Sequence, residues 1–385
     1  MNLDFHYYAT YLAACYARFS PEQALVIARS AQMVDDLTLD FLDTYHLRDK
    51  TQPVDRQAVT CMSMAELGSY FLQSVPWTNR QMQRFVEVWM AFHFPPGNDK
   101  GQIRYEGAAE QKNMGWVMQK EELEAFRLLC LPCSGTIKAY IDDLRRWKKE
   151  PFFLQLLGIR MHILADSWAH SGFLGIPLMS ANEIFMEKGV YVDVKGQWCR
   201  AALNDNRKLV IKDNLETLEF ATTPQAVLPT GKLWTGISYL AHARIGSLAD
   251  YGAVRFKYSP FYRSGSASPE LVRDNTRMFA KAFHQMVYAM NCVLNETDFE
   301  PVNIPENYND NILPLLETRK LDQSREWDAL ICRETGAGTP LPAYSPGDWA
   351  EGSRRKDFDN HVEAVKRHLE FFRQYFPQIQ HSTGN

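Results

Sequence analysis

The chain has little of what marks several common protein classes. Cysteine is scarce and odd in number, seven in 385 residues, which argues against a disulfide framework and for a reducing compartment. Cys130-Leu131-Pro132-Cys133 is a lone CxxC. With no second pair at zinc-ribbon spacing, it reads as two small apolar residues beside a helix end, with redox or metal use the lesser alternative. No apolar run approaches the roughly 20 residues that span a bilayer. An excess of basic charge is missing too: 42 Lys and Arg stand against 46 Asp and Glu, a net charge of -4, which argues against a duplex-DNA binder. Met1 to His6 lacks the basic-then-apolar layout of a secretory signal. The expectation is a cytoplasmic protein, with signal-independent export left open. No repeat of 20 to 50 residues, no Gly-rich nucleotide loop and no complete GxSxG elbow is present; Gly236-Ile237-Ser238-Tyr239 lacks the second glycine.

Apolar residues, by contrast, are plentiful at 45% of the chain, enough for one large core. Three- and four-residue apolar steps predict two helices within Tyr7 to Ala31, split at Ser20-Pro21, where serine caps and proline starts a helix. Further helices are expected at Met64 to Leu72, Arg80 to Phe92, Lys120 to Leu131, Ser134 to Trp147, Phe152 to Ala169, Leu233 to Leu248 and Pro269 to Leu294. Val/Tyr alternation over residues 183–200 around Lys195-Gly196 predicts one short hairpin. Residues 335–355 are rich in Gly and Pro and read as a loop, followed by a final helix over 356–376 and a disordered tail at 381–385. The expected fold class is mainly α: a single multi-helix domain over 1–385 with long loops.

The strongest chemical signal is His162-x3-Asp166-x3-His170. At about 100° per residue, positions i, i+4 and i+8 fall on one stripe of a helix. The residues before them are apolar, so the stripe faces a core, where an unpartnered carboxylate is costly. A divalent cation is one partner; a hydrogen-bonded His-Asp-His core network is the other. His6 precedes an apolar helix and reads more readily as a core or cap residue than as a ligand. Asp35-Asp36 ends a helix against its macrodipole, which points to metal ligation or to an Asx turn. His93 sits between Phe92 and Phe94, and His242 and Asp250 repeat the i, i+8 spacing if a helix continues through Gly246. His46, His284, His361, His368 and His381 read as surface or loop residues.

Asp4-Phe5-His6-Tyr7-Tyr8-Ala9-Thr10, Ser30-Ala31-Gln32-Met33-Val34-Asp35-Asp36, Phe92-His93-Phe94 and His162-x3-Asp166-x3-His170-Ser171-Gly172-Phe173 together resemble an uncharacterised bacterial domain-of-unknown-function family. The likeness runs over most of the chain and implies no particular activity. The order of His and Asp residues also resembles, more distantly, the zinc-dependent phospholipase C and S1/P1 nuclease superfamily. That resemblance implies an all-helical fold holding one to three zinc ions. It assigns Asp35, His93, His162 and Asp166 to one ion, His170, His242 and Asp250 to a second, and His6 with Asp166 to a third. Three features depart from it: the superfamily ligates with the free amino end of a processed chain, whereas this chain starts with an unprocessed-looking Met1; Asp166-x3-His170 is shorter than its counterpart; and Ser247 stands where the uncharacterised family carries a histidine, which would leave the second site weak or reshaped.

The resulting expectation is a metal-dependent hydrolase of phosphoesters, whose substrate is a phospholipid, a nucleotide or single-stranded nucleic acid, with Asp35 or Asp166 orienting water. The alternative is a non-catalytic interaction or effector-type protein whose metal site is structural or lost.

Overall fold

The structure, a computed structural model, describes residues 1–47, 58–63, 66–67, 79–106, 124–185, 188–203, 208–211, 220–221, 240–263, 269–304, 311–320, 322–350 and 354–377. It is mostly helical with a small antiparallel sheet. The principal helices are α1 (Thr10–Tyr16), entered through a π-helical turn at Asp4–Ala9; α2 (Pro21–Asp36); α3 (Asn79–Phe85), which passes into a π-helical turn at Val86–Met90; α4 (Gly135–Asp143); α5 (Phe153–Ala169); α6 (Asn275–Asn295); α7 (Ser324–Thr335); and α8 (Arg355–Tyr375).

Local chemistry starts α2 and α4 where the pattern expects. Ser20 is extended and its hydroxyl accepts from Gln23 N, while the Gln23 side chain accepts from Ser20 N at 3.0 Å, a complete capping box ahead of Pro21. Ser134 caps α4 and Asp274 caps α6 in the same way. Helix α5 has no side-chain cap. Its position comes from burial, since all its residues except Leu154 are buried, and α2, α6 and α8 pack round it. Apolar burial of this kind, about 1.5–3 kcal/mol for each large side chain, outweighs a missing cap of about 1 kcal/mol.

The crossing of α2 over α5 is set by Gly158. A Cβ there would collide with the Ile27 carbonyl and come within 2.7 Å of Ser30 Cβ. A mid-helix glycine costs about 1 kcal/mol relative to alanine. Here it lets two backbones touch, which brings the end of α2, with Asp35, to the face of α5 that carries His162 and Asp166.

Strands β1 (Tyr191–Val194), β2 (Gln197–Leu203), β5 (Arg255–Tyr258) and β6 (Leu271–Asp274) form an antiparallel sheet in the order β2-β1-β5-β6. Short β3 (Lys208–Ile211) and β4 (Phe220–Ala221) extend the β2 edge, giving the order β4-β3-β2-β1-β5-β6. The expected hairpin is present. Val194 pairs with Gln197, and Lys195 and Gly196 both take positive φ, 52° and 86°, the left-handed pair that a two-residue hairpin turn requires. The inner face of the sheet, with Val192, Phe256 and Tyr258, covers a second apolar cluster that includes Phe94, Phe173 and Leu248.

Several expectations are corrected. The start of the helix expected over Pro269 to Leu294 is corrected: Leu271 to Asp274 are strand, because they find a partner in β5. Residues 240–250 are not α-helical: turns of 3-10 type run through Ala243–Asp250, and Gly246 breaks them at φ 55°, ψ -146°. The end of the helix expected over Lys120 to Leu131 is a short 3-10 turn, Phe126–Leu128. Within the Gly/Pro-rich loop, Gly347–Ala350 forms one helical turn. Most of Met64 to Leu72, residues 120–123 and 233–239 including Ser238, residues 351–353, and the tail 381–385 lie outside the described residues. His361 and His368 are fully buried, not surface residues, and His284 is buried as well. His368 Nε2 donates to Ala91 O at 2.9 Å. Neither ring nitrogen of His361 has a partner among the described residues.

Two outcomes follow. Gly158→Ala is expected to lower stability by about 1–3 kcal/mol despite alanine's better helix propensity, since a backbone carbonyl cannot swing aside; chemical denaturation measures it, and an unchanged midpoint would refute the close crossing. Burial depresses His361 from 6.5 to about 3. The unfolded chain therefore takes up the proton first, and the stability this neutral ring contributes above about pH 6.5 is lost as pH falls toward about 3. His361→Leu should flatten the fall of Tm between pH 6.5 and 4 in scanning calorimetry, and an equal slope would count against it.

Candidate metal centre

All eight residues expected as ligands come together, in three groups. His6, His162 and Asp166 form one, Asp35, His93 and His162 a second, and His170, His242 and Asp250 a third; within each group the ligand atoms lie within 4.8 Å of one another. The groups draw on α2, α5, the two π-helical turns and the 240–250 turns. A π turn takes an extra residue, which rotates the side chains that follow it. One such turn carries His6, and the other stands just before His93.

Asp166 is the hub. It is 1% exposed. Its Oδ1 accepts from the α-amino group of Met1 at 2.6 Å and lies 3.1 Å from His6 Nε2, while its Oδ2 lies 3.0 Å from His162 Nε2 and 3.2 Å from His93 Nδ1. Burial alone would raise its pKa. The amino group and the imidazoles of His170, His162 and His6 more than offset that and hold it well below the carboxylate range. Burial likewise opposes the charge on the amino group, but Asp166, Asp250 and Asp35 raise its pKa to about 10. The α-amino group of Met1, taken from the sequence as a departure from the superfamily pattern, thus sits inside the cluster, also 3.6 Å from Asp250.

Asp35 is the most open member at 31% exposed, with its oxygens 3.7–3.9 Å from His93, His162 and His6. Burial pushes its carboxyl up, with Asp166 adding to the push and His93 opposing it. Asp36 does not join the cluster; its Oδ2 accepts from Gln32 Nε2 and from Tyr344 Oη. In the third group His170 Nε2 is 3.1 Å and His242 Nε2 3.8 Å from Asp250, whose pKa falls although burial opposes it, because His242, the amino group and His170 favour its charge. Gly246 ends the helical path, so His242 meets Asp250 through a bent turn and not by i, i+8 spacing.

Backbone carbonyls settle three tautomers. His93 Nε2 donates to Thr60 O at 3.0 Å, His170 Nδ1 to His93 O at 2.7 Å, and His242 Nδ1 to Gly246 O at 2.8 Å. A carbonyl can only accept, so each of these nitrogens carries the hydrogen. In the neutral rings, the nitrogens that face the carboxylates then present lone pairs. Lone pair against carboxylate is repulsive unless a proton or a cation lies between. His93 can take the proton: burial opposes it, but hydrogen bonds to Asp166 and Cys61 raise its pKa well above normal. For His242 burial lowers the pKa, with Asp250 only partly compensating, which favours the neutral ring. Metal-ligating histidines show this arrangement, the outer N–H held by a carbonyl and the inner nitrogen bare. His6 and His162 lack the outer anchor, since neither Nδ1 has a hydrogen-bond partner among the described residues.

Sequence reasoning missed the amino group, the Thr60 carbonyl and Cys61. Met1 stands only five residues before His6, which was a usable signal. Thr60 and Cys61 precede a stretch without periodicity and gave none.

The described fold and site define a mainly α protein with His/Asp groups able to hold a metal ion. The chain belongs to a family of unknown function, DUF6765, whose profile matches residues 1–383. No curated protein and no solved structure matches it. Among the described residues no helix is long and apolar enough to cross a membrane.

Asp166→Ala is expected to cost about 3–5 kcal/mol, because it strands the buried amino group and its imidazole neighbours without their shared partner, and to abolish metal binding. Denaturation midpoint and elemental analysis check both. Unchanged values would remove Asp166 from its central role.

Proposed function

We propose that the protein is a zinc-dependent phosphoester hydrolase with up to three ions in one centre. The observation that carries the reading is the convergence of five imidazoles, three of them with an outer N–H held by a backbone carbonyl, on three carboxylates in groups whose ligand atoms lie within 4.8 Å of one another, an arrangement that a divalent cation satisfies. His162 can serve only one ion through Nε2. The consistent assignment gives it, with Asp35, His93 and Asp166 Oδ2, to one ion. His6, Asp166 Oδ1 and the Met1 amino group hold another, and His170, His242 and Asp250 a third. Imidazole nitrogen with carboxylate oxygen suits zinc.

Bound ions of this kind supply Lewis acidity toward a phosphoryl oxygen and lower the pKa of water, which is why clustered cations recur in phosphoester chemistry. The chain's own groups divide the work. Asp166 has both oxygens occupied and no access to solvent, so it positions ligands. Asp35, Asp250 and His242 form the accessible edge, at 31%, 20% and 18% exposed. Asp35, the most exposed carboxylate of the centre, can meet the ion through one oxygen and orient water with the other. His170, His242 and Asp250 would hold an ion with three side-chain ligands, the number that catalytic zinc sites use when they keep a place for water or substrate.

Metal-replete protein is expected to hydrolyse a generic phosphodiester such as bis(p-nitrophenyl) phosphate, and a chelator to abolish the reaction. Asp35→Asn should lower kcat by about 100-fold or more with little loss of stability. Metal-replete protein inert toward phosphodiester, nucleotide and phospholipid substrates would overturn the hydrolase reading and leave a metal site that serves structure or binding.

A further inference from the structure

A separate cleft of about 380 Å³ opens beside the turn that follows His170, walled by Ser171, Gly172, Tyr262 and the edge strand β6. None of the eight candidate ligands lines it. Three arginines do, Arg104, Arg263 and Arg273, against one carboxylate, Glu106. Arg273 is 4% exposed. Its Nη1 donates to Ser171 O at 2.5 Å and its Nη2 to Ala169 O at 2.6 Å and Trp168 O at 3.1 Å, which closes the C-terminal end of α5. Its Nε is buried with no hydrogen-bond partner among the described residues. The guanidinium also lies over the Phe173 and Phe256 rings and touches the Met278 sulfur, but among the described residues no carboxylate pairs with it, which leaves a buried cation without a counter-ion of full charge. Apolar surface adjoins it: Ile103, Leu271, Met278 and Val272, the last 50% exposed.

We infer that this cleft binds an organic phosphate, its anionic head on the arginines and an apolar substituent on the β6 side. Guanidinium groups hold phosphate through paired charge-assisted hydrogen bonds, and the Tyr262 hydroxyl stands on the same wall. The volume lies within the range of small-molecule sites, roughly 300–1,000 Å³. Because Arg273 is bonded to the turn directly after His170, occupancy of the cleft bears on the third ligand group.

The test is titration calorimetry of the full chain with phenyl phosphate, before and after chelator treatment. Saturable binding that survives the chelator is expected, with inorganic phosphate roughly tenfold weaker or more for want of the apolar part. The Arg104→Gln/Arg263→Gln double variant and, independently, Val272→Asp should each weaken phenyl phosphate by roughly tenfold or more, at unchanged Tm and metal content. Val272 is exposed on an edge strand, so its substitution leaves the core intact. Absence of binding to the untreated protein, equal affinity in both variants, or equal affinity for inorganic phosphate overturns the inference. Binding lost on chelation overturns it too and assigns the phosphate to the metal centre. Loss of hydrolysis alone, with cleft binding retained, bears only on the hydrolase reading.

Discussion

A carboxylate sealed in a helical core has to be answered by other charges, and Asp166 imposes that demand on this fold. Removing a carboxylate from water costs several kcal/mol even after relaxation, and no single neighbour offsets so large a term. The amino group of Met1 and the imidazoles of His6 and His93 share the task from two other parts of the chain, with His162 one turn earlier on the same helix. Each partner is itself buried and has to be matched in turn, so the requirement spreads outward to Asp35, to Asp250 and to the Thr60, His93 and Gly246 carbonyls. The groups able to hold a metal ion and the groups that answer the buried charge are the same residues.

Backbone devices rather than side-chain size bring these groups to one place. Gly158 lets α2 and α5 touch, π-helical turns redirect the chain at Asp4–Ala9 and ahead of His93, and the broken turn at Gly246 folds His242 back over Asp250. Each carries a local cost in propensity or hydrogen bonding, offset by the apolar burial around α5. Departures from regular helix gather at the site, as expected where function competes with local preference.

Enclosure is graded across the cluster. Asp166 and His162 are shut in, while Asp35, Asp250 and His242 reach solvent. Aromatic rings form part of the wall on the third group's side, where Phe94 stacks on His170 and His170 on His242. Such stacking locks ring orientation, so these imidazoles meet a ligand with little rotamer freedom left to lose.

Much of the centre was legible from the chain itself. The i, i+4, i+8 stripe on α5 is a matter of helical pitch, and Ser20-Pro21 marks the start of the helix that delivers Asp35. The hairpin at Lys195-Gly196 was legible for the same reason, since residues close in sequence settle their own geometry. Pattern reading failed where the partner is remote. Leu271 to Asp274 become strand only because β5 lies alongside, and His361 and His368 look solvent-facing on an amphipathic helix until the elements that cover them are in place. Local sequence determined the helices, their caps and the residue types able to ligate a cation. Tertiary structure alone decided that the amino group of Met1 joins them and which imidazole nitrogen faces inward, because both depend on contacts between residues far apart in sequence, and no local periodicity encodes those.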